Sequence, residues 1–194
     1  MRNYEEIVKE ANELAERLIK KKSRKTLGTY YILWVFYSFF EAIISSLPLS
    51  SLLSNIASAL LVVPFIYLSL RLSYNFNVEY LRLKRGEKFN KKKFDKYFAL
   101  SIIPFAIPLA ILIYSLFTGI FILYILFGYV YVSVIEYYLI ITFRWLGNLR
   151  YYDVFAMIGL LLLPLSYFSD VFPTIMVITW TYAGTKSLLE VIEV

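Results

Sequence analysis

The sequence predicts an all-α fold, a polytopic transmembrane helical bundle of about six spans with an N-terminal amphipathic cytoplasmic helix, and three observations carry that prediction. Of the 194 residues 60% are hydrophobic, with a mean hydropathy of +0.65, where soluble domains average about 45–50% apolar residues. Charge makes up 18% of the chain and is gathered into a few blocks separated by long uncharged runs. Those blocks are basic and fall between alternate apolar runs, the pattern of loops that stay on one side of a membrane. This composition excludes a disordered, fibrous or collagen-like chain.

Residues Asn3 to Lys22 place Ile7, Val8, Ala11, Leu14, Ala15, Leu18 and Ile19 at three- and four-residue spacings, with Glu5, Glu6, Lys9, Glu10, Glu13, Glu16 and Arg17 mostly opposite them. That spacing defines an amphipathic helix. Its acidic first turns and its basic end, KKKSRK, both suit the helix dipole, and the basic end also suits the headgroups of an anionic leaflet. Such a helix lies on the membrane, docks on a partner or packs on its own chain's loop. Residues 1–26 therefore form an interfacial piece, and residues 27–194 a membrane domain.

A helix needs about 20 apolar residues to cross roughly 30 Å of hydrocarbon. Counted in that unit, residues 27–47 form the first span, closed by Pro48, and residues 52–70 the second, closed by Arg71. Tyr97 to Phe143 contains no Lys or Arg. It divides near Ser115–Gly119 into spans at 97–117 and 120–143. The last apolar block holds Pro164, Asp170 and Pro173 near its middle, so it reads as two shorter helices, 154–168 and 174–189, joined at SDVFP, with a re-entrant hairpin as the competing reading. The basic loop 71–96 is expected to turn at Arg85–Gly86 and re-enter through a short helix punctuated by Phe.

Eight Lys or Arg precede the first span, nine lie between the second and third or at their ends, and Arg144 and Arg150 separate the fourth from the fifth. The intervening turns carry only Asp170. The chain is thus expected to be integral to the cell membrane and multi-pass, with both termini cytoplasmic. The first 25 residues lack the early apolar core of a signal peptide. Tyr and Trp clusters, among them Tyr30–Tyr31, Trp34, Trp145 and Trp180, read as an interfacial belt.

With no cysteine and no histidine, disulfides, thiolate chemistry, haem ligation, His-ligated zinc and His-based catalysis are absent from the inventory. The sequence AGTKS at Ala183–Ser187 lacks the glycine spacing of a phosphate loop, so the chain is not itself an ATPase. Neither a catalytic residue nor a metal site nor a cofactor is expected. Absence of Cys, His and Gln beside abundant Glu, Lys, Ile and Tyr fits a thermophilic source.

An acidic side chain at the centre of a span costs about 2.5–3.5 kcal/mol to insert, so each one needs a reason. Two qualify: Glu41 in the outer half of the first span and Glu136 in the inner half of the fourth. They are candidate proton- or cation-binding groups, or helix–helix anchors, and Asn55 is the expected partner of Glu41 across the first hairpin. Pro64, Pro104, Pro108 and Pro164 are candidates for broken helices, whose freed carbonyls line ion paths in transporters. Lys20, Lys21, Lys22, Arg24 and Lys25, with Lys91, Lys92 and Lys93, are candidate contacts to lipid or a soluble partner. Basic residues interleaved with aromatics also occur in nucleic-acid binders, but a loop this close to two spans must be basic in any case, so no nucleic acid is expected.

The order of parts (amphipathic helix, six spans, basic loop between the second and third, shortened hairpin last) resembles that of exporter-type ABC permeases. The likeness covers the whole chain and rests on topology, without a sequence motif of that family. It implies that Asn3–Lys22 connects to a separate ATPase and that Val78–Lys96 couples to it. The expected function is therefore a membrane transport component, a permease-like subunit that forms homo- or hetero-oligomers and is energised by a cytoplasmic ATPase or other soluble partner, with membrane lipids around it. The alternative is a non-catalytic scaffold or assembly subunit, and a small ion channel or carrier comes third. An enzyme is not expected, because Glu41 and Glu136 fall at opposite depths.

Overall fold

Lysine, arginine and leucine are good helix formers, and nothing between Lys22 and Leu27 interrupts them. Helix α1 accordingly runs unbroken through Tyr4–Ser46, 43 residues, so the amphipathic segment and the first span are one rod. The computed structural model describes residues 4–85, 89–146 and 149–192, and among them every regular element is helical.

Helix α2 spans Ser51–Arg85. The segment after Arg71, expected as a loop, continues this helix, and the turn expected at Arg85–Gly86 lies outside the described residues. Helix α3, Lys91–Thr118, opens at Asn90, whose Oδ1 accepts the Lys93 N–H at 3.1 Å. It ends at Gly119, which has φ of 69° and donates its N–H to the Ser115 carbonyl. A side chain there would strain that left-handed backbone, which is why the helix stops on glycine. Helix α4 follows at Phe121–Leu146.

Helix α5, Tyr151–Leu162, passes into a 3₁₀ turn, Leu163–Tyr167. Pro164 has no N–H to offer the Leu160 carbonyl, and the Leu163 N–H takes that acceptor instead, which tightens the helix into the 3₁₀ form. After a turn at Phe168–Asp170, helix α6 covers Val171–Ile192. Among the described residues, four helices are long and apolar enough to cross a membrane: Glu6–Ser46, Ser51–Arg82, Lys91–Thr118 and Phe121–Arg144. The stretch Tyr151–Tyr167 is shorter, and α6 carries Lys186 and Glu190 near its end.

The buried residues follow helical spacing: Leu27, Tyr31 and Trp34 on α1, Val132, Ile135, Leu139 and Phe143 on α4, Tyr152, Ala156 and Leu160 on α5, and Met176, Trp180 and Ala183 on α6. Helix α1 lies against α6 and α2, α5 against α6, and α3 against α4 at the edge of the bundle. At the centre, the Trp180 indole meets Tyr31 edge-on at 5.2 Å and donates its Nε1–H to the Ala156 carbonyl at 2.8 Å. Tyr31, Trp34 and Trp180 are therefore core residues rather than members of an interfacial belt, because three helices close over their rings.

The α5–α6 contact depends on Gly159. A Cβ there would lie 2.1 Å from Thr179 Oγ1 and 3.2 Å from the Met176 Cα, so backbone as well as side chain would have to move. Gly159→Ala is expected to cost about 1–3 kcal/mol, the range for overpacking a closed contact. A thermal melt of the purified variant within a degree of the parent would contradict this.

Candidate functional site

Glu41 sits five residues from the end of α1 and accepts a hydrogen bond from Ser58 Oγ at 2.6 Å. The expected partner, Asn55, makes no such bond; it lies one helical turn nearer the α1–α2 connection. The correction follows from hairpin register, since a turn centred on residues 48–50 sets position 41 opposite position 58. Glu41 Oε2 is buried without a hydrogen-bond partner, and so is Glu136 Oε1 on α4. At about 1.5 Å per residue, Glu41 lies about 8 Å from the turn end of the bundle and Glu136 about 22 Å. The two carboxylates do not form a pair.

The four candidate prolines do not act alike. Helices α2 and α3 continue through Pro64, Pro104 and Pro108, and only at Pro164 does the helix change form. Pro64 and Pro104 are exposed on the outer surface, whereas Pro108 and Pro164 are buried. An open groove beside Pro104, lined by Leu126, Val130, Ser133 and Tyr137, also faces outward from α4. The broken-helix reading thus fails at Pro64, Pro104 and Pro108, because flanking turns carry the helix across each missing bond.

At the basic end the structure assembles a cluster that the composition did not reveal. Arg24 Nη1 lies 2.7 Å from Asp153 Oδ2, and its Nε lies 3.5 Å from Glu190 Oε2. Arg150 Nη2 reaches Glu190 Oε1 at 2.6 Å, and the Tyr152 hydroxyl donates to Glu190 Oε2. The Tyr31 hydroxyl points at Asp153 Oδ1 from 3.4 Å, and the Arg24 guanidinium stands 5.5 Å from the Tyr152 ring centre. Asp153 is 0% exposed and Arg24 7%.

Each member is placed by its helix. Asp153 occupies the first turn of α5 and accepts the Arg150 N–H at 3.1 Å, so one carboxylate caps the helix and pairs with Arg24. Arg24 shares the face of Leu27 and Tyr31, at positions three and seven residues on, which carries it inward. Glu190 continues the inward row of Ala183 and Ser187 on α6. The arrangement ties the base of α1, the start of α5 and the end of α6 together, and a buried ion pair with further hydrogen bonds holds its partners in one geometry.

Arg24 therefore drops out of the expected lipid and partner contacts, since it is enclosed and paired. Of the rest, Lys22 bonds Glu79 on α2, Lys20 lies 4.0 Å from Glu16, and Lys21, Lys25, Lys91, Lys92 and Lys93 are exposed. Three lysines in the first turn of α3 oppose the helix dipole, at about 0.3–1 kcal/mol each. A local rule broken three times in a row fits a segment whose charge answers to something outside the bundle.

The other such feature is the apolar face of the N-terminal arm of α1, which is exposed among the described residues. Ile7, Val8, Leu14 and Leu18 are exposed, with Leu14 at 61%, so the expected alternative of packing on the chain's own loop does not occur. Among the described residues no group of three or more acidic side chains stands close enough together to hold a metal ion. No protein-family model, no curated protein and no solved structure matches this chain.

Proposed function

We propose that the chain is a six-crossing membrane protein with both termini in the cytoplasm, and that it serves as the membrane-embedded docking or assembly subunit of a larger complex. The observation that carries this reading is the arm: a 43-residue helix whose inner part is locked into the bundle and whose outer part offers an apolar face that is exposed among the described residues. A rigid rod joined to a membrane domain transmits position, which is what an assembly subunit has to do.

Six crossings are supported by the reach of the α5 segment. Twelve α-helical and five 3₁₀ residues extend about 28 Å, close to the thickness of the hydrocarbon layer. Its start is joined to Arg24 at the basic end, while Ser166 bonds Tyr124 and Tyr167 packs on Phe121 at the beginning of α4. The 3₁₀ stretch at Pro164 adds about 2–3 Å over an α-helical course and carries Tyr167 to the level of Phe121 at the start of α4.

The absence of cysteine makes the topology directly testable. Single substitutions Asn12→Cys and Asn90→Cys are expected to react with a membrane-impermeant maleimide only from the cytoplasmic side, and Ser50→Cys, Thr118→Cys and Ser169→Cys only from outside. Labelling of Ser169→Cys from the cytoplasm would replace the last crossing pair with a re-entrant hairpin.

A permease-like transport component is the second reading, favoured by the partnerless buried oxygens of Glu41 and Glu136. Proteoliposomes holding the protein together with the partner that co-purifies with it should then show flux that Glu136→Gln abolishes while the bundle stays folded. Unchanged flux in that variant, or none in the parent, removes the transport reading.

A further inference from the structure

Successive residues turn about 100° around a helix, so Tyr30, Trp34, Tyr37 and Glu41 fall within about 60° of one another on α1. Each carries a polar atom at a position where leucine or valine could fill the space without one. The Trp34 ring stands 6.4 Å from that of Tyr30 and 5.3 Å from that of Tyr37, which makes the row continuous. On α4, which contacts α1, Tyr124 and Tyr131 are spaced as Tyr30 and Tyr37 are. The Tyr37 hydroxyl lies within electrostatic range of those of Tyr124 and Tyr131 and of the Glu41 carboxylate, and the Tyr30 hydroxyl within range of that of Tyr131. Phe65 of α2 meets Tyr37 edge-on at 5.5 Å and covers the row from that side.

Hydrogen bonding along this row is incomplete. Trp34 is 9% exposed, and its Nε1–H turns toward the Tyr30 hydroxyl without reaching hydrogen-bond geometry. Glu41 accepts from Ser58 on Oε1 and leaves Oε2 buried and bare. The hydroxyls of the partly buried Tyr37 and Tyr131 make no hydrogen bond among the described residues. A polar atom taken out of water is costly unless a partner restores its bond, so four such atoms in one file call for a hydrogen-bonding occupant rather than tighter packing. Water suits them, since it both donates and accepts.

The side chains also select what such a file can carry. A divalent cation takes about six oxygen ligands, and the row offers a single carboxylate beside an indole N–H that can only donate. Phenols and a half-bonded carboxylate are proton donors and acceptors. The row also approaches both ends of the bundle. Glu41 is near the turn end, and Tyr30 adjoins Tyr31, whose hydroxyl faces Asp153 Oδ1 at 3.4 Å in a cluster that is partly exposed at Glu190.

We propose that the row between α1 and α4 is a water-bridged proton route, with Glu41 as the group that holds the proton and Tyr37, Tyr131 and Tyr30 as relays toward the Asp153 cluster. This rests on α1 and α4 crossing the membrane, as proposed above, and not on the docking role. The proton adds to the bare Oε2, giving a neutral acid that keeps the Ser58 bond on Oε1. It leaves when the Oε2–H bond breaks and an O–H bond forms on the next oxygen, which passes its own proton onward. Glu41 then returns to a carboxylate, and no phenolate persists. Trp34 donates without accepting, so it orients the file and does not relay.

The test uses the full chain in proteoliposomes that enclose a pH-sensitive dye, with potassium and valinomycin clamping the membrane potential. After an acid step outside, the parent is expected to acidify the interior roughly tenfold or more faster than protein-free vesicles. Glu41→Gln, whose amide oxygen still accepts from Ser58, is expected to return the rate to that of protein-free vesicles. Tyr131→Phe removes one oxygen and keeps the ring, so it is expected to slow proton entry about tenfold with the unfolding midpoint unchanged. Tyr67→Phe, on the exposed face of α2, is expected to be silent. Parental rates in Glu41→Gln or Tyr131→Phe, or no proton entry in the parent, overturn the inference, and so does a flux that follows a sodium gradient instead of a pH gradient. Maleimide labelling separates the two levels. Reaction of Asn12→Cys and Ser50→Cys from the same side sinks the crossing of α1, whereas reaction from opposite sides without proton entry sinks only the proton route.

Discussion

Asp153→Ala is expected to destabilise the bundle by about 3–5 kcal/mol, the range for removing one partner of a buried ion pair. The carboxylate is fully enclosed and Arg24 nearly so. Deleting it leaves the guanidinium with Glu190 as its acidic neighbour at 3.5 Å, strips the Tyr31 hydroxyl of its acceptor, and uncaps α5. Capping alone is worth about 1 kcal/mol, so most of the loss comes from the buried guanidinium losing its 2.7 Å partner. Arg24→Met should be less harmful when combined with Asp153→Leu than either change is alone, because an apolar pair of similar volume avoids the desolvation cost. Glu190→Gln is expected to cost less than Asp153→Ala, since Glu190 is 28% exposed and an amide still accepts from Tyr152. Denaturant titration of the five variants, both single substitutions of the apolar pair included, in detergent micelles checks the order. If Asp153→Ala unfolds at the parental midpoint, the cluster is not what holds α1, α5 and α6 together.

How much of this was legible depended on whether one helix's phase could be carried through a boundary. The uncharged runs marked the helices, Gly119 and the SDVFP segment marked two turns, and the 3–4 spacing of Ile7 to Leu18 marked the arm's face, all from local chemistry. Arg24 was hidden because KKKSRK reads as a boundary between two helices. Once α1 is one rod, residues 24, 27 and 31 fall on one side, and Arg24 must point where Tyr31 points. Asp153 did leave a signal, an acidic residue three positions after Arg150 at the head of an apolar run, which is the spacing of an N-terminal cap. Its distant partners on α1, Arg24 and Tyr31, had none, because contacts between residues 129 and 122 positions apart follow from packing rather than from spacing. The Ser58 partner of Glu41 was legible in hairpin register, and Asn55 drew attention away from it by being the stronger hydrogen-bonding side chain. Tyr31 and Trp180 looked like belt residues because an amphipathic ring suits an interface, but it suits an enclosed site equally well when its polar atom finds a partner, as the Tyr31 hydroxyl and the Trp180 indole N–H do.

Trp180→Ala tests whether that enclosed aromatic centre is the keystone between α1 and the α5–α6 pair. The side chain is 1% exposed, lies against Tyr30 and Tyr31, and bonds the Ala156 carbonyl across to α5. Truncating a buried tryptophan costs about 3–5 kcal/mol, and the hole cannot close easily where Gly28 and Gly184 already bring α1 and α6 into close contact. Trp180→Phe keeps most of the volume and loses the hydrogen bond, so its cost should be nearer 1–2 kcal/mol, roughly the value of one buried bond plus a small cavity. The two variants separate packing from polarity, and they also bear on function. If the arm works as a lever fixed at its base, Trp180→Ala should leave the exposed Ile7–Leu18 seam intact and yet loosen its mounting. Hydrogen exchange would then rise at Leu27–Trp34 and at α6 while staying unchanged in α3, which packs on α4 at the bundle's edge. A uniform rise across all six helices would mean that the bundle melts as one unit and that α1 has no separate anchorage to lose.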